Sequence, residues 1–361
     1  MNNSASVFEP TSNFQVYTPG DYRNVLGRLL EKSGSGDRIL LTSMSMEPSE
    51  PAIGELLEQA HAAARRGATV HLGVDAFTFL MGKGLGPLWY HPTFPEKMHP
   101  YYQRKYDLLK SFNDTPDGHS YIINKPSRRF SLPVAGRSHL KIAIVNDYVF
   151  IGGCNFEGAD WIDMMVGRQD IQAADWLYDT IVPALQQGTI RTALDSTDRE
   201  LQLNDSTKLL LDAGVPNQSI ILKQALTLID SAEQWLTITC QYFPNSVTAQ
   251  HLLHAHKRGV KVEIIFAHPS RQGLIGGAGQ QVSLMIEKSR LPRHMFKQAL
   301  KRTDPMLHAK LIACDKGVMI GSHNYVRAGV KLGTAEIALH STNSNLTRKA
   351  LAVLRRQLPG H

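Results

Sequence analysis

At 361 residues, 42% of them hydrophobic and 20% charged, the chain is long enough for one large core or two joined ones, which excludes small stapled scaffolds, fibrous chains and disordered ones. Lys and Arg (39) outnumber Asp and Glu (32), for a net charge of +7, a balance that favours an anionic partner such as a phosphate, a nucleic acid or an acidic lipid surface. The excess sits in one half: residues 1–199 hold 19 basic and 22 acidic side chains, net −3, and residues 200–361 hold 20 and 10, net +10.

The N-terminal stretch MNNSASVFEPTSNF has neither the basic region nor the apolar core of a secretion signal, and no window approaches about eighteen uninterrupted apolar residues. The expectation is a cytoplasmic chain that spans no membrane. RILLTSMSM (38–46) reads as a strand, IGELLEQAHAAARRG (53–67) has helical apolar spacing, and ATVHLGVDA (68–76) alternates like a strand. A stretch from 77 to 138 follows, in which Trp89, Tyr90, Tyr101, Tyr102 and Tyr106 are interleaved with Lys97, Arg104 and Lys105. Its irregular composition predicts a surface excursion with a small apolar cluster, or a lid facing the substrate. GRSHLKIAIVNDYVFIGGCNF (136–156) then reads as a strand pair.

After a polar joining stretch at 190–218, the same order returns. WLTITCQYF (235–243), SVTAQHLLHAHKRG (246–259) and VKVEIIFAH (260–268) repeat the strand, helix and strand, and DPMLHAKLIACDKGVMIGSHNY (304–325) repeats the strand pair. Arg66-Gly67 and Arg258-Gly259 close the two helices with a glycine where a left-handed cap is wanted. The prediction is an α/β fold of two lobes related by a pseudo-two-fold axis, residues 1–199 and 200–361, each a mixed sheet flanked by helices with parallel strands joined by right-handed crossovers. Arg66 to His139 spans 73 positions and Arg258 to His308 spans 50, so the first lobe carries an insertion of 23 within 77–138. Cys154, Cys240 and Cys314 lie in apolar stretches without metal-ligand spacing and read as reduced, buried thiols.

Chemistry concentrates in one pattern that occurs twice. His139-Leu140-Lys141 is followed by Gly152 and Asn155, and His308-Ala309-Lys310 by Gly321 and Asn324 at the same offsets. On a strand, residues two apart share a face, so each His projects beside its Lys. The small residues Gly153 and Ser322 let a substrate come close, and each Asn adds an uncharged donor. Two such sets facing each other at the lobe interface make a pocket suited to a phosphodiester. Lys141, Lys310, Asn155 and Asn324 would hold its oxygens, and one imidazole would attack phosphorus while the other protonates the leaving oxygen. The lysines supply the charge, so neither a metal nor another cofactor is called for, and a zinc site beside two ammonium groups is disfavoured.

These residues, with Gly152, Asp315 and Gly321, resemble the doubled HxK(x)4D(x)nG[SG]xN motif of the phospholipase D superfamily, and the likeness covers most of the chain from about residue 38 to 340. QYFPNS, HKRGVKVEIIF and LHAK are similar to the second half of bacterial cardiolipin synthases. The resemblance implies a metal-independent phosphodiester hydrolase or phosphatidyltransferase working through a phosphohistidine. His139 maps onto the nucleophile and His308 onto the acid, then base. In relatives an acidic side chain beyond the Asn orients each imidazole. Asp163 and Glu336 stand 24 and 28 positions after the two histidines, and which serves which stays open. The first motif departs by having Asn146 where an Asp is expected. The chain also lacks the transmembrane helices that precede many bacterial cardiolipin synthases, which leaves peripheral docking on a membrane.

Three substrate classes follow. A glycerophospholipid is favoured by the cardiolipin-synthase-like half, with residues 288–302, KSRLPRHMFKQALKR, as a basic amphipathic stretch able to rest on an anionic bilayer. A nucleic acid is the alternative, its backbone tracked by the basic, tyrosine-rich residues 97–110. A non-catalytic scaffold is the third, disfavoured because unused buried donors are costly. Two internal half-sites mean that an oligomer is not required.

Overall fold

Apolar faces with a period of two must be buried, and here two sheets bury one face each against a common core and the other beneath a pair of helices. The computed structural model describes residues 13–79, 100–125, 135–244, 246–268, 291–295, 298–299 and 304–359. Seven strands form the first sheet: β1 (Gln15–Tyr17), β2 (Arg38–Ser43), β3 (Thr69–Asp75), β4 (Gly118–Ile123), β5 (Ile142–Val145), β6 (Tyr148–Gly152) and β7 (Met165–Gln169). Eight form the second: β8 (Arg199–Asn204), β9 (Thr207–Ala213), β10 (Trp235–Cys240), β11 (Lys261–Phe266), β12 (Gln298–Ala299), β13 (Leu311–Cys314), β14 (Gly317–Gly321) and β15 (Ala335–Ser341).

From the parallel edge, the first sheet runs β4-β3-β2-β5-β6-β7-β1 and the second β12-β11-β10-β13-β14-β15-β9-β8. The two orders coincide position by position, with β8 as an addition. In both, the first three strands are parallel and the rest antiparallel. The repeat read from the sequence is thus a repeat of topology.

Alternation along each strand divides its side chains between two layers. Ile39 and Leu41 of β2 pack beneath α1 (Pro19–Lys32) and α2 (Pro51–Arg65), whereas Leu40 points to the common core. Leu236 and Ile238 of β10 pack beneath α6 (Ile220–Ser231) and α7 (Ser246–Lys257). The common core takes Ile142, Ile144, Val149 and Ile151 from one sheet and Leu209, Leu211, Leu311 and Ile320 from the other. It also takes the apolar stripes of α4 (Ile171–Gln187) and α9 (Ser344–Gln357). Each fully buried aliphatic there contributes roughly 1.5–3 kcal/mol, so the largest apolar payload lies between the sheets. Both predicted glycine caps are left-handed, Gly67 at φ 89° and Gly259 at φ 92°.

Two expectations are corrected. The stretch at 190–218 is no linker: after the short α5 (Ile190–Ala193), β8 and β9 form a hairpin that completes the second sheet. Leu201 and Leu203 alternate with polar residues, and their apolar face packs on the common core. Nor is the insertion at 77–138 wholly irregular. α3 (Pro100–Asn113) crosses to β4, which extends the parallel ladder beyond β3. Residues 80–99 and 126–134 lie outside the described residues.

All three cysteines are free and buried, and among the described residues no helix is long and apolar enough to cross a membrane. Phe150 is fully buried, with the rings of Tyr148, Tyr22 and Tyr17 at 4.7, 5.2 and 5.6 Å. Phe150→Ala should cost about 3–5 kcal/mol, read as a lowered urea midpoint; an unchanged midpoint would contradict this packing.

Candidate active site

Both His-x-Lys segments are extended but lie just ahead of β5 and β13 rather than inside a strand. β5 starts opposite the end of β2 (Thr42↔Ile142) and β13 opposite the end of β10 (Thr239↔Leu311). Each segment therefore emerges at the C-terminal ends of its lobe's parallel strands. Its backbone partner there is the other lobe. Ser138 bridges Ala335, with the His139 N–H donating to the Ala335 carbonyl at 2.8 Å and the Ala335 N–H to the Arg137 carbonyl at 2.9 Å. Leu307 bridges Ile162, whose carbonyl accepts from the His308 and Ala309 N–H groups at 2.8 and 3.0 Å. The residues next in sequence to Ala335 and Ile162 are Glu336 and Asp163.

That placement decides the pairing that the sequence left open. His139 Nδ1 lies 2.9 Å from Glu336 Oε2, and His308 Nδ1 lies 2.6 Å from Asp163 Oδ2. Each imidazole is thus held by the opposite lobe's carboxylate. Nδ1–H donates to the carboxylate in each pair, which leaves the Nε2 lone pair free. The two rings stand 6.4 Å apart between centroids, nearly edge to face at 75°.

Lys141 and Lys310 are fully buried, and each ammonium donates to its own histidine's carbonyl, at 2.8 Å for Lys141. Burial, followed by repulsion from Lys310, brings Lys141 down to about 7; burial brings Lys310 down to about 8. Burial and the adjacent lysines hold His139 well below its usual range, and His308 is pushed down to about 3 for the same reasons. Burial works to raise Asp163, but His308 and Lys310 outweigh it and keep the carboxylate ionised, while burial raises Glu336. The shifts favour the neutral forms of both imidazoles and both amines, and an anion beside them would favour the charged forms.

The remaining predicted residues gather around these pairs. Buried Asn155 donates to Glu157 at 3.3 Å and accepts from Ser43 Oγ at 3.4 Å. Asn324 is partly exposed, and its Oδ1 is buried with no hydrogen-bond partner among the described residues. Gly153 and Ser322, expected to face the substrate, face the carboxylates instead. A Cβ on Gly153 would meet Asp163 Oδ1 at 2.1 Å, and fully buried Ser322 donates its hydroxyl to Glu336. The small residues make room for the orienting acids. Asn146 accepts from the Arg38 N–H at 3.1 Å, and Asp315 accepts from the N–H groups of Glu233, Gln234 and Trp235 at 3.1, 3.0 and 3.4 Å. The Asp-to-Asn departure therefore falls on a residue that caps the start of β2, as Asp315 caps β10.

Several supporting residues gave no motif. Asp75, fully buried, receives Arg137 at 3.0 Å, the Ser138 N–H at 2.6 Å and Asn124 Nδ2 at 2.7 Å, which pins the chain entering His139. Trp161 lies 5.0 Å from the His308 ring. Gln357, at the end of α9, accepts from the Asp163 N–H at 3.3 Å and donates to its carbonyl at 3.0 Å. Such contacts join residues 49 to 194 positions apart and leave no periodicity to read.

Two basic segments weighed from the sequence fare differently. On α3, Tyr102 is buried, Tyr106 packs on the outer core, and buried Lys105 pairs with Glu47 at 3.1 Å. These side chains are structural rather than a platform for bases. Most of 288–302 lies outside the described residues; within it, Leu291 and Met295 are buried in the second lobe's outer core.

Comparison with known proteins agrees with this architecture. The family model described as "Cardiolipin synthase, PLD-like domain" matches residues 225–357. The crystal structure of phosphatidylserine synthase from Haemophilus influenzae Rd KW20 superposes with a TM-score of 0.71 over 95% of this chain and 84% of that one, at 14% identity. Polyphosphate kinase from Porphyromonas gingivalis gives 0.56 at 12% identity, over 96% of this chain and 50% of that one. A phospholipase D family member, Nuc from Salmonella typhimurium, is 20% identical over 42% of this chain and 93% of its own, and with a TM-score of 0.32 it superposes too loosely to bear on the fold. No curated protein matches the chain.

Two outcomes follow from the geometry. Lysines that lose their charge near pH 7 and 8 bind an anion below those values and release it above them. Sulfate affinity, followed by calorimetry, should therefore fall as pH rises from about 6 to 9 and largely vanish in Lys141→Met; a flat profile would contradict it. In Gln357→Ala the Asp163 backbone loses its clamp, so exchange of the His308 Nδ1 proton with water, seen by proton NMR, should quicken. An unchanged exchange rate would leave Gln357 without a role at the site.

Proposed function

We propose that this chain, a member of the phospholipase D superfamily, is a phosphodiester transferase or hydrolase acting on glycerophospholipids. The observation that carries the reading is the pair of imidazoles 6.4 Å apart, each backed by the opposite lobe's carboxylate above two buried lysines. The match of residues 225–357 to the cardiolipin synthase model, and the fold shared with a phosphatidylserine synthase, support the lipid class.

In this reading, with lobes divided at 199/200, each lobe brings one histidine, one lysine and the acid for the other's histidine. The diester's non-bridging oxygens sit against Lys141 and Lys310, with Asn155 and Asn324 at the rim. His139 Nε2 attacks phosphorus, a P–N bond forms as the P–O bond to the leaving alcohol breaks, and His308 gives that oxygen its proton. Glu336 stabilises the positive charge that develops on His139. Water or a second alcohol then loses a proton to His308 and attacks the phosphohistidine, breaking the P–N bond and freeing His139. Burial, followed by the lysines, brings His308 down to about 3; a bound phosphate anion offsets the lysines' share, so substrate binding itself helps ready the acid. The two ammonium groups supply the charge stabilisation, and the mechanism is metal-independent.

His139→Asn should lower turnover by roughly 10³-fold or more, and activity should survive EDTA; a fully active variant or loss with chelator would sink the mechanism. His308→Asn should trap phosphate on His139, detectable by mass spectrometry, and an adduct on His308 would reverse the roles. Phosphatidylglycerol liposomes and single-stranded DNA, offered separately, test the substrate class. Cleavage of DNA alone would favour the nuclease reading, and cleavage of neither a scaffold.

A further inference from the structure

The two halves of the site are not closed alike. On the His308–Asp163 side, α9 reaches across the lobe interface and Gln357 clamps the Asp163 backbone. Gln357 stands 21 positions after Glu336; the residue 21 positions after Asp163, on α4, is Ala184. A methyl group has nothing with which to make the equivalent clamp on the Glu336 side. Beside it, the end of α4 at Leu185–Gly188 borders a cavity of about 830 Å³ between the lobes. Its walls come from the end of β4 and from the chain ahead of His139 in one lobe. In the other they come from Gly214, Pro216 and the Leu332–Ala335 segment, reached after α8 (Arg327–Leu332). Ala335 is the residue whose carbonyl holds the His139 N–H.

The wall chemistry points to a class of ligand. Among the described residues three cations border the cavity, Lys125, Arg137 and Arg191, together with the polar groups of Tyr121, Asn124, Gln186 and Gln187, and no carboxylate does. Arg137 is committed to Asp75. Lys125 and Arg191 are exposed and have no carboxylate partner among the described residues. The volume lies within the range of small-molecule sites, roughly 300–1,000 Å³. Four glycines around it, Gly136, Gly188, Gly214 and Gly333, have φ between 64° and 77°, and a Cβ on Gly333 would meet the Gly214 carbonyl at 2.6 Å. The rim is therefore built of tight turns: Gly214 and Gly333 approach each other backbone to backbone within the second lobe, and across the interface the Gly136 N–H donates to the Leu332 carbonyl at 2.8 Å.

We propose that this cavity is a second binding site, separate from the two-histidine site, for a small polyol phosphate monoester. The phosphate lies between Lys125 and Arg191, and the hydroxyls meet the amides of Gln186 and Gln187. An occupant touches both lobes next to the bridge that positions His139 and Glu336, so binding here reports on their alignment.

The test is calorimetric titration of the full chain with glycerol 3-phosphate, and separately with phosphatidylglycerol vesicles, which tells a free monoester from a lipid head group. The double variant Lys141→Met, Lys310→Met removes the cations of the two-histidine site and should keep the glycerol 3-phosphate binding proposed here. Lys125→Glu, Arg191→Glu reverses two exposed charges and should weaken that binding at least about tenfold, with an unchanged melting temperature to show intact folding; uncharged glycerol should not bind. Affinity unaltered by the charge reversal, or binding lost entirely with the two buried lysines, would overturn the second site. Neither readout depends on turnover, so failure of the proposed reaction would not be mistaken for failure of this site. Vesicle binding that alone responds to Lys125→Glu, Arg191→Glu would overturn the free monoester as occupant.

Discussion

The exchange of carboxylates between lobes is the constraint on which the rest of the site depends. His139 leans on Glu336 and His308 on Asp163, so neither imidazole is oriented until the sheets have packed. The backbone bridges Ser138↔Ala335 and Ile162↔Leu307 place the pairs in register, and the common core between the sheets provides the free energy that holds them there. Folding of the interface and assembly of the site are one event.

Charge balance explains why such a cluster can be buried. Lys141 and Lys310 bring two positive charges and Asp163 and Glu336 two negative ones, all at 4% exposure or less. Desolvation penalises each of the four; at Asp163 the neighbouring cations outweigh it, and at Lys141 the charge of Lys310 adds to it. The lysines respond by dropping toward neutral pH and the histidines by staying uncharged. A nearby anion would favour the charged forms of the lysines and histidines alike.

The two halves solve one geometric problem with different parts. Glu336, the longer acid, is steadied by the Ser322 hydroxyl. Asp163, one methylene shorter, takes the space where a side chain on Gly153 would stand and is steadied through its backbone by Gln357. This inequality makes two chemically identical imidazoles unlike, as separate roles for them require. It also sets the cavity beside the end of α4, on the Glu336 side of the interface.

Local pattern was enough to read the repeat, both parallel crossovers, their glycine caps and the two His-x-Lys sets, because each rests on residues within one or two turns or strands of one another. The same reading took 190–218 for a linker and gave the 77–138 stretch a small apolar cluster of its own, since Leu201, Leu203 and Tyr102 become part of the larger cores only through elements distant in the chain. Asp163 and Glu336 were legible as candidates but not their partners, and Asp75, Trp161 and Gln357 carried no signal. What the sequence by itself determined is the inventory of chemistry and the repeated strand, helix, strand and strand pair of each lobe, which follow from short-range periodicity. Only the tertiary structure decided which acid meets which base, because that pairing is made across an interface whose two faces lie nearly 200 residues apart.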